Sequence, residues 1–178
     1  MKNIDFRTDV LPLKNELYRL ALRITLNPAE AEDVVQETML KVWNRRDSWA
    51  EIESMEAFCL TICRNLALDR QKRADNQTAQ FALRHEPQDH QGGTDVADTA
   101  ANPEEQAVER DRVQLVRRLI NGLPEKQRTC MQLRDVEGKP YKEIAEVLGI
   151  TEQQVKVNIF RARQTIRQKY LETEKYGL

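Results

Sequence analysis

"YKEIAEVLGITEQQVKVNIFRARQTIRQKY" occupies residues 141–170 and holds two amphipathic segments separated by a single glycine. In the first segment Ile144, Ala145 and Leu148 form a short apolar face. Gly149 stands where that helix should stop, because glycine enters the left-handed region at little cost. Thr151 suits the N-cap of the next helix, and Gln154, three residues on, completes the capping-box spacing. The inner face of this second helix is Val155, Ile159, Ala162 and Ile166. Helices joined through so tight a turn cross steeply, and a small residue such as Ala145 suits the point where they touch. The outer face carries Lys156, Arg161, Arg163, Arg167 and Lys169 against one acid, Glu152. An ordinary helical hairpin has no need of that asymmetry, whereas a DNA-binding helix-turn-helix does.

In such a motif the N-terminal part of the second helix faces base edges. Gln153, Gln154, Lys156 and Asn158 are the candidate base readers, with Thr151 at the edge of the same surface. Gln and Asn can pair bidentately with adenine, and Lys can donate to guanine acceptors. Arg161, Arg163 and Arg167 are placed to grip phosphates, which fixes register without reading sequence.

The charge distribution points the same way. Residues 1–75 carry 12 cations against 13 acids, residues 76–111 carry 2 against 8, and residues 112–178 carry 14 against 8. A near-neutral front, an acidic middle and a basic back is the asymmetry expected when one end meets nucleic acid. Low aromatic content, six glycines and six prolines, and abundant Leu, Ala, Glu, Arg, Lys and Gln favour an all-α protein. No apolar run approaches the roughly 20 residues of a membrane span. Acids interrupt the N-terminal MKNIDFRTDVLPLK where a signal peptide needs an apolar core, so a cytoplasmic protein is expected. Cys59, Cys63 and Cys130 lie within apolar helical pattern and read as packing residues rather than metal ligands. No phosphate loop, nucleophile–base grouping or metal cluster is evident, so neither an enzyme nor a cofactor is expected.

Ahead of the motif, the front segment reads as three helices. Leu13, Leu17, Leu20, Ala21 and Ile24 recur at helical steps. Asn27-Pro28-Ala29-Glu30 has the N-cap, proline and capping-box spacing that opens a second helix, with Ala31, Val34, Val35, Thr38, Met39, Val42 and Trp43 apolar. After a break at 45–49, Ser54 can cap a third helix bearing Phe58, Cys59, Ile62 and Leu66, which ends in the polar run 69–73. From 74 to 101 the periodicity disappears into a polar stretch with His85, His90 and a Gly-Gly pair, which reads as a linker. Asn102-Pro103-Glu104-Glu105 repeats the helix-opening pattern, Gly122 closes that helix and Pro124 starts another. The expected organisation is two small helical domains, 1–74 and 103–178, joined by a flexible acidic linker at 75–102.

A helix-turn-helix alone fits many regulators, and the front half narrows the choice. "AEAEDVVQETMLKVW" (29–43) followed by "AFCLTICRNLALDRQKR" (57–73) resembles the second region of bacterial sigma factors. "LPEKQRTCMQLRDVEGKPYKEIAEVLGITEQQVKVNIFRARQTIR" (123–167) resembles their fourth region. With nothing but a linker between them, the chain resembles the extracytoplasmic-function (ECF) sigma factors. The resemblance implies a subunit that directs core RNA polymerase to promoters and initiates transcription. A helix-turn-helix regulator working without polymerase is the alternative. The family implies polymerase contacts through the β′ clamp helices, carried here by Asp33, Gln36 and Glu37 with Lys41 nearby, and through the β flap. It implies minus-ten DNA contacts at Trp49, Arg64, Asn65, Asp69 and Arg70, and minus-thirty-five contacts through the helix-turn-helix. Family members are usually held inactive by an anti-sigma factor, often membrane-anchored, so such a partner is implied without any membrane insertion of this chain. Phe58-Cys59 replace the Trp-Leu of many relatives and Cys63 replaces Ala, as conservative core swaps. Val157 and Asn158 stand where some relatives carry Ser and Arg, so a relative's promoter sequence does not transfer. A flexible linker of about 30 residues spans roughly 30 Å, and two domains of about 11 Å radius bring the reach to the roughly 50 Å that separates the family's two promoter elements.

Overall fold

The computed structural model describes residues 3–82 and 102–177. All regular structure among them is helical, with no strand. Most of the expected linker, including His85 and His90, lies outside the described residues.

The chain begins with structure that hydrophobic periodicity does not announce. The Asp5 carboxylate accepts from the Arg7 N–H at 2.7 Å and caps a π-helical turn, Phe6–Val10. That turn sinks Val10 completely into the core. A 3-10 turn, Leu11–Leu13, then leads into α1 (Lys14–Thr25). Leu17, Leu20, Ala21 and Ile24 are buried on the face their spacing predicts. α1 ends on Leu26, whose φ of 55° makes it a non-glycine residue in left-handed conformation. Asn27 opens α2 (Pro28–Asn44) by accepting the Glu30 N–H at 3.2 Å. The capping box expected there is not closed, because the Glu30 carboxylate turns to Arg70 instead.

Ser54 Oγ accepts the Ala57 N–H at 3.1 Å where α3 (Met55–Ala82) begins. Sequence periodicity ends this helix in the 69–73 run, yet it continues to Ala82. The reason is local: residues 74–82 contain neither Gly nor Pro, so the loss of apolar pattern removes packing without breaking the helix. Residues 72–80 are accordingly exposed. α1, α2 and α3 form a three-helix unit. Leu17, Leu20 and Ile24 are fully buried in it, and truncating any one to Ala should cost about 2–5 kcal/mol.

The second unit comprises α4 (Pro103–Asn121), α5 (Glu125–Met131), α6 (Tyr141–Leu148) and α7 (Glu152–Tyr176). Asn102 precedes Pro103 as expected but makes no side-chain cap. A π-helical turn, Gln132–Val136, follows α5, and Gly138 at φ +68° lets the chain reverse before α6. The two units are the expected all-α pair, and they pack on one another. Buried Cys130, Leu133, Ile144 and Leu148 belong to the same apolar core as Leu17, Leu60 and Cys63. Polar contacts surround the junction. Arg19 pairs with Glu137 at 2.7 Å, Arg64 makes two bonds to Glu125, and Arg23 donates to Gln132 and Asn121. Lys139 reaches both Glu16, at 2.8 Å, and Glu56. None of the described helices is long and apolar enough to cross a membrane.

Candidate nucleic-acid interface

The turn between α6 and α7 has the geometry its residues call for. Gly149 adopts φ +65°, and the Ile150 N–H donates to the Ala145 carbonyl at 3.1 Å. Thr151 Oγ1 accepts the Gln154 N–H at 3.1 Å while Gln154 Oε1 accepts the Thr151 N–H at 3.0 Å, so the capping box is complete. Val155, Ile159 and Ala162 are buried beneath the helix. Gln153, Lys156, Arg161, Arg163 and Arg167 are exposed, and Asn158 is half-buried.

The candidate residues are not equally available. The cap occupies the Gln154 carbonyl oxygen, which leaves its amide N–H groups to face outward. Asn158 donates Nδ2 to the Gln154 backbone carbonyl at 2.8 Å. Lys156 sits 5.4 Å from the Tyr141 ring centroid, and Arg134 stacks on the same ring at 4.3 Å. Arg163 is held by both oxygens of Asp135. Arg161 and Arg167 have no ion partner among the described residues, and Arg161 lines a groove of about 260 Å³ with Gln153, Gln154, Val157, Asn158 and Ile150.

Two further residues join this surface without having been anticipated. Lys126, in the first turn of α5, lines the same groove from another helix. Only the tertiary fold brings it there. Phe160 is 66% exposed between Ile159 and Arg161, an aromatic ring left outside on a helix whose inner face is already filled. Its signal was available in the sequence, since it falls off the apolar stripe.

In the first unit, Asp33 and Gln36 are exposed on α2 and Glu37 is half-buried, with Lys41 3.7 Å from Glu37. Leu40 and Trp43 are also exposed on α2. The minus-ten candidates separate. Asn65 and Asp69 are exposed on α3. Trp49 departs from the expectation of a DNA contact: it is 7% exposed, donates Nε1 to the Val42 carbonyl at 3.0 Å and stacks on Phe6. Its ring braces the Arg46–Glu51 turn against α2. Arg64 likewise departs, because in this arrangement it is 8% exposed and closed off by Glu125 at 3.0 and 3.1 Å. Arg70 is held by Glu30 at 2.7 Å and Glu37 at 3.2 Å.

Burial sets the electrostatics elsewhere. It pushes the thiols of Cys59, Cys63 and Cys130 up to about 12, which makes them inert packing groups, and Cys63 donates its S–H to the Leu17 carbonyl. Glu16 and Glu143 are held above the usual carboxylate range, chiefly by burial. Glu137 is lowered, first by its hydrogen bond from Arg19.

Both units match known protein families. Residues 10–77 match Sigma-70 region 2, and residues 114–166 match Sigma-70, region 4. The chain is 30% identical over 154 residues to the ECF RNA polymerase sigma factor SigL of Mycobacterium tuberculosis, covering 85% of this chain and 80% of that one. It is 27% identical over 168 residues to a probable RNA polymerase sigma factor, RfaY, of Xanthomonas campestris pv. campestris; this covers 92% of the chain but 40% of that longer protein. The fold is similar to that of the sigma factor RpoE solved in complex with the anti-sigma factor NepR from Bartonella quintana. The TM-score is 0.71 at 23% identity, over 92% of this chain and 95% of that one.

Proposed function

The chain belongs to the ECF RNA polymerase sigma factors, and from that premise we propose how its residues divide the family's work of directing core polymerase to promoters and initiating transcription. The second unit, 103–178, docks the minus-thirty-five element. The observation that carries this reading is the exposed polar edge of α7 beside a groove, backed by a complete cap and a filled inner face. Gln153, Gln154 and Asn158 read base edges from that groove and Lys156 reads them from beside Tyr141, while Phe160 offers an apolar face to a thymine methyl. Arg161, Arg167 and Lys126 hold phosphates, with Thr151 at the N-terminal edge and Arg163 available once it leaves Asp135.

The first unit, 1–74, presents Asp33, Gln36, Glu37 and Lys41 to the β′ clamp helices, with Leu40 and Trp43 as apolar neighbours. Asn65, Asp69 and Arg70 face the minus-ten DNA, joined by Arg64 when the two units separate. The packed arrangement is the resting form, since it closes Arg64 against Glu125. The acidic stretch that follows α3, 83–102, joins the two units and lets them reach two promoter elements at once. The site of action is the cytoplasm, where the polymerase works. An anti-sigma factor is a further partner, as in the RpoE–NepR complex whose fold the chain shares. The protein contributes specificity to the polymerase and no catalysis of its own.

Run-off transcription from a chromosomal promoter library, with purified core enzyme and with or without the protein, tests this. Initiation should depend on the protein and start at discrete sites. Background initiation combined with tight duplex binding by the protein alone would instead favour a regulator that acts without polymerase.

A further inference from the structure

Two residue sets assigned above to different ligands are bound to each other. Glu30, Asp33 and Glu37 are spaced by three and four residues, so they share one face of α2. Arg70 reaches across from α3 to all three. Its Nη1 lies 2.7 Å from Glu30 Oε2 and 3.7 Å from Asp33 Oδ2, and its Nη2 lies 3.2 Å from Glu37 Oε2. The other Glu37 oxygen faces Lys41 at 3.7 Å. Beside Arg70, Lys72 and Arg73 are exposed on the same helix, with no ion partner among the described residues.

A guanidinium whose charge is shared among three carboxylates has little left to attract a phosphate. The same acids cannot offer their full charge to a basic polymerase surface while Arg70 neutralises them. We infer that Arg70 is a positioning residue that couples the two binding events: a cation of the polymerase displaces it from Asp33 and Glu37, and the released guanidinium joins Lys72 and Arg73 on the phosphates flanking the minus-ten element. The exchange is physically easy, because all three acids are more than a third exposed and ion pairs of that kind are weak. The coupling is reciprocal, so DNA tightens polymerase binding by the factor that polymerase tightens DNA binding. It also requires the free protein to bind the minus-ten element more weakly than the holoenzyme does. The inference rests on the reading that Asp33 and Glu37 face the polymerase.

The test uses the full chain, titrated against core polymerase, and the resulting holoenzyme, titrated against a promoter fragment containing the minus-ten element. Arg70→Gln should bind core about fivefold tighter, since the internal competitor is gone. Its holoenzyme should capture the fragment about fivefold more weakly, with the log–log salt slope flattened by about one unit for the lost phosphate contact. Unchanged or weaker core binding by Arg70→Gln overturns the inference. Asp33→Asn and Glu37→Gln separate the two layers. If they leave core affinity unchanged, the polymerase-face reading fails; if they weaken it while Arg70→Gln does not tighten it, only the coupling fails. Should Arg70→Gln fold poorly, Glu30→Gln replaces it. That change loosens the 2.7 Å anchor and leaves Asp33, Glu37 and Arg70 in place. It should tighten both core binding and fragment capture by about twofold, and unchanged or weaker values would again overturn the inference.

Discussion

Replacing Glu125 with glutamine removes one charge from the contact that closes the second unit onto the first. In the packed form the Arg64 side chain is 10% exposed and the Glu125 side chain 21% exposed, and two hydrogen bonds of 3.0 and 3.1 Å join them. Removing one member of a buried pair generally costs about 3–5 kcal/mol, because the other charge stays buried. Here Glu125 retains some solvent and the introduced amide keeps one neutral bond, so about 2 kcal/mol of closure should be lost. That is roughly a 30-fold shift toward the open form. The cost falls on closure rather than on either fold, because Arg64 regains water when the units part. Resonance energy transfer can read it, with dyes on cysteines introduced at Asn44 and Gln168, both exposed. The natural thiols are buried and held near 12, so they should stay unlabelled. The wild-type chain should give one high-efficiency population, and Glu125→Gln should move a substantial fraction to low efficiency while leaving helicity unchanged. Identical efficiency distributions in both chains would refute the argument that this pair latches the resting form.

Closure should also respond to pH. Glu16 meets Lys139, Glu56 and Glu137, and Glu143 meets Glu56, Lys139, Glu16 and Glu146. Both carboxyls are raised chiefly by burial, so the closed form binds protons more readily than the open one. Its stability should rise as pH falls through the raised carboxyl range toward the ordinary carboxylate value and decline as pH climbs back through it; an inverted slope in the same fluorescence assay would contradict this. Glu137 acts oppositely, its contribution being lost only as pH drops below about 4.5. Gly149→Ala meets no atom within 4 Å and suffers only the left-handed backbone, so calorimetry should register a loss of about 1–2 kcal/mol. Arg161→Ala should flatten the salt dependence of holoenzyme–promoter binding by about one unit, and Arg163→Ala by less, because Asp135 already holds Arg163; equal slopes would remove that distinction. Lys156→Ala or Asn158→Ala should shift preference at single base pairs by about 1–3 kcal/mol, and a uniform loss over all promoter variants would reassign them to the backbone.

Much of the fold was legible because it rests on local chemistry. The stripe of α1, the Asn27 cap, the Gly149 turn and the Thr151–Gln154 box each need only residues a few positions apart, and each forms. Errors arose where local and distant partners compete. Glu30 leaves the capping box for Arg70, forty positions away. Asn102 has the residue type for a cap but adopts φ −50° and makes no bond. The 74–82 extension of α3 was hidden because hydrophobic periodicity reports burial rather than helicity, and those residues bury nothing along 74–80.

The interface was legible in residue type and much less so in availability. Sequence distinguishes a cation from an acid, but whether a cation is free depends on what the fold sets beside it. Arg64, Arg70 and Arg163 would all be equivalent on a helical wheel, yet Glu125, Glu30 with Glu37, and Asp135 each hold one, from 61, 40 with 33, and 28 positions away. Arg161 is left open, and Lys126 arrives beside it from α5. The three held arginines lie at different depths. Arg64 is buried at the junction of the units, Arg70 is partly covered, and Arg163 is more than half exposed. Release should therefore follow that gradient in reverse, Arg163 exchanging with simple encounter of DNA, Arg70 with a competing cation, and Arg64 only with separation of the two units.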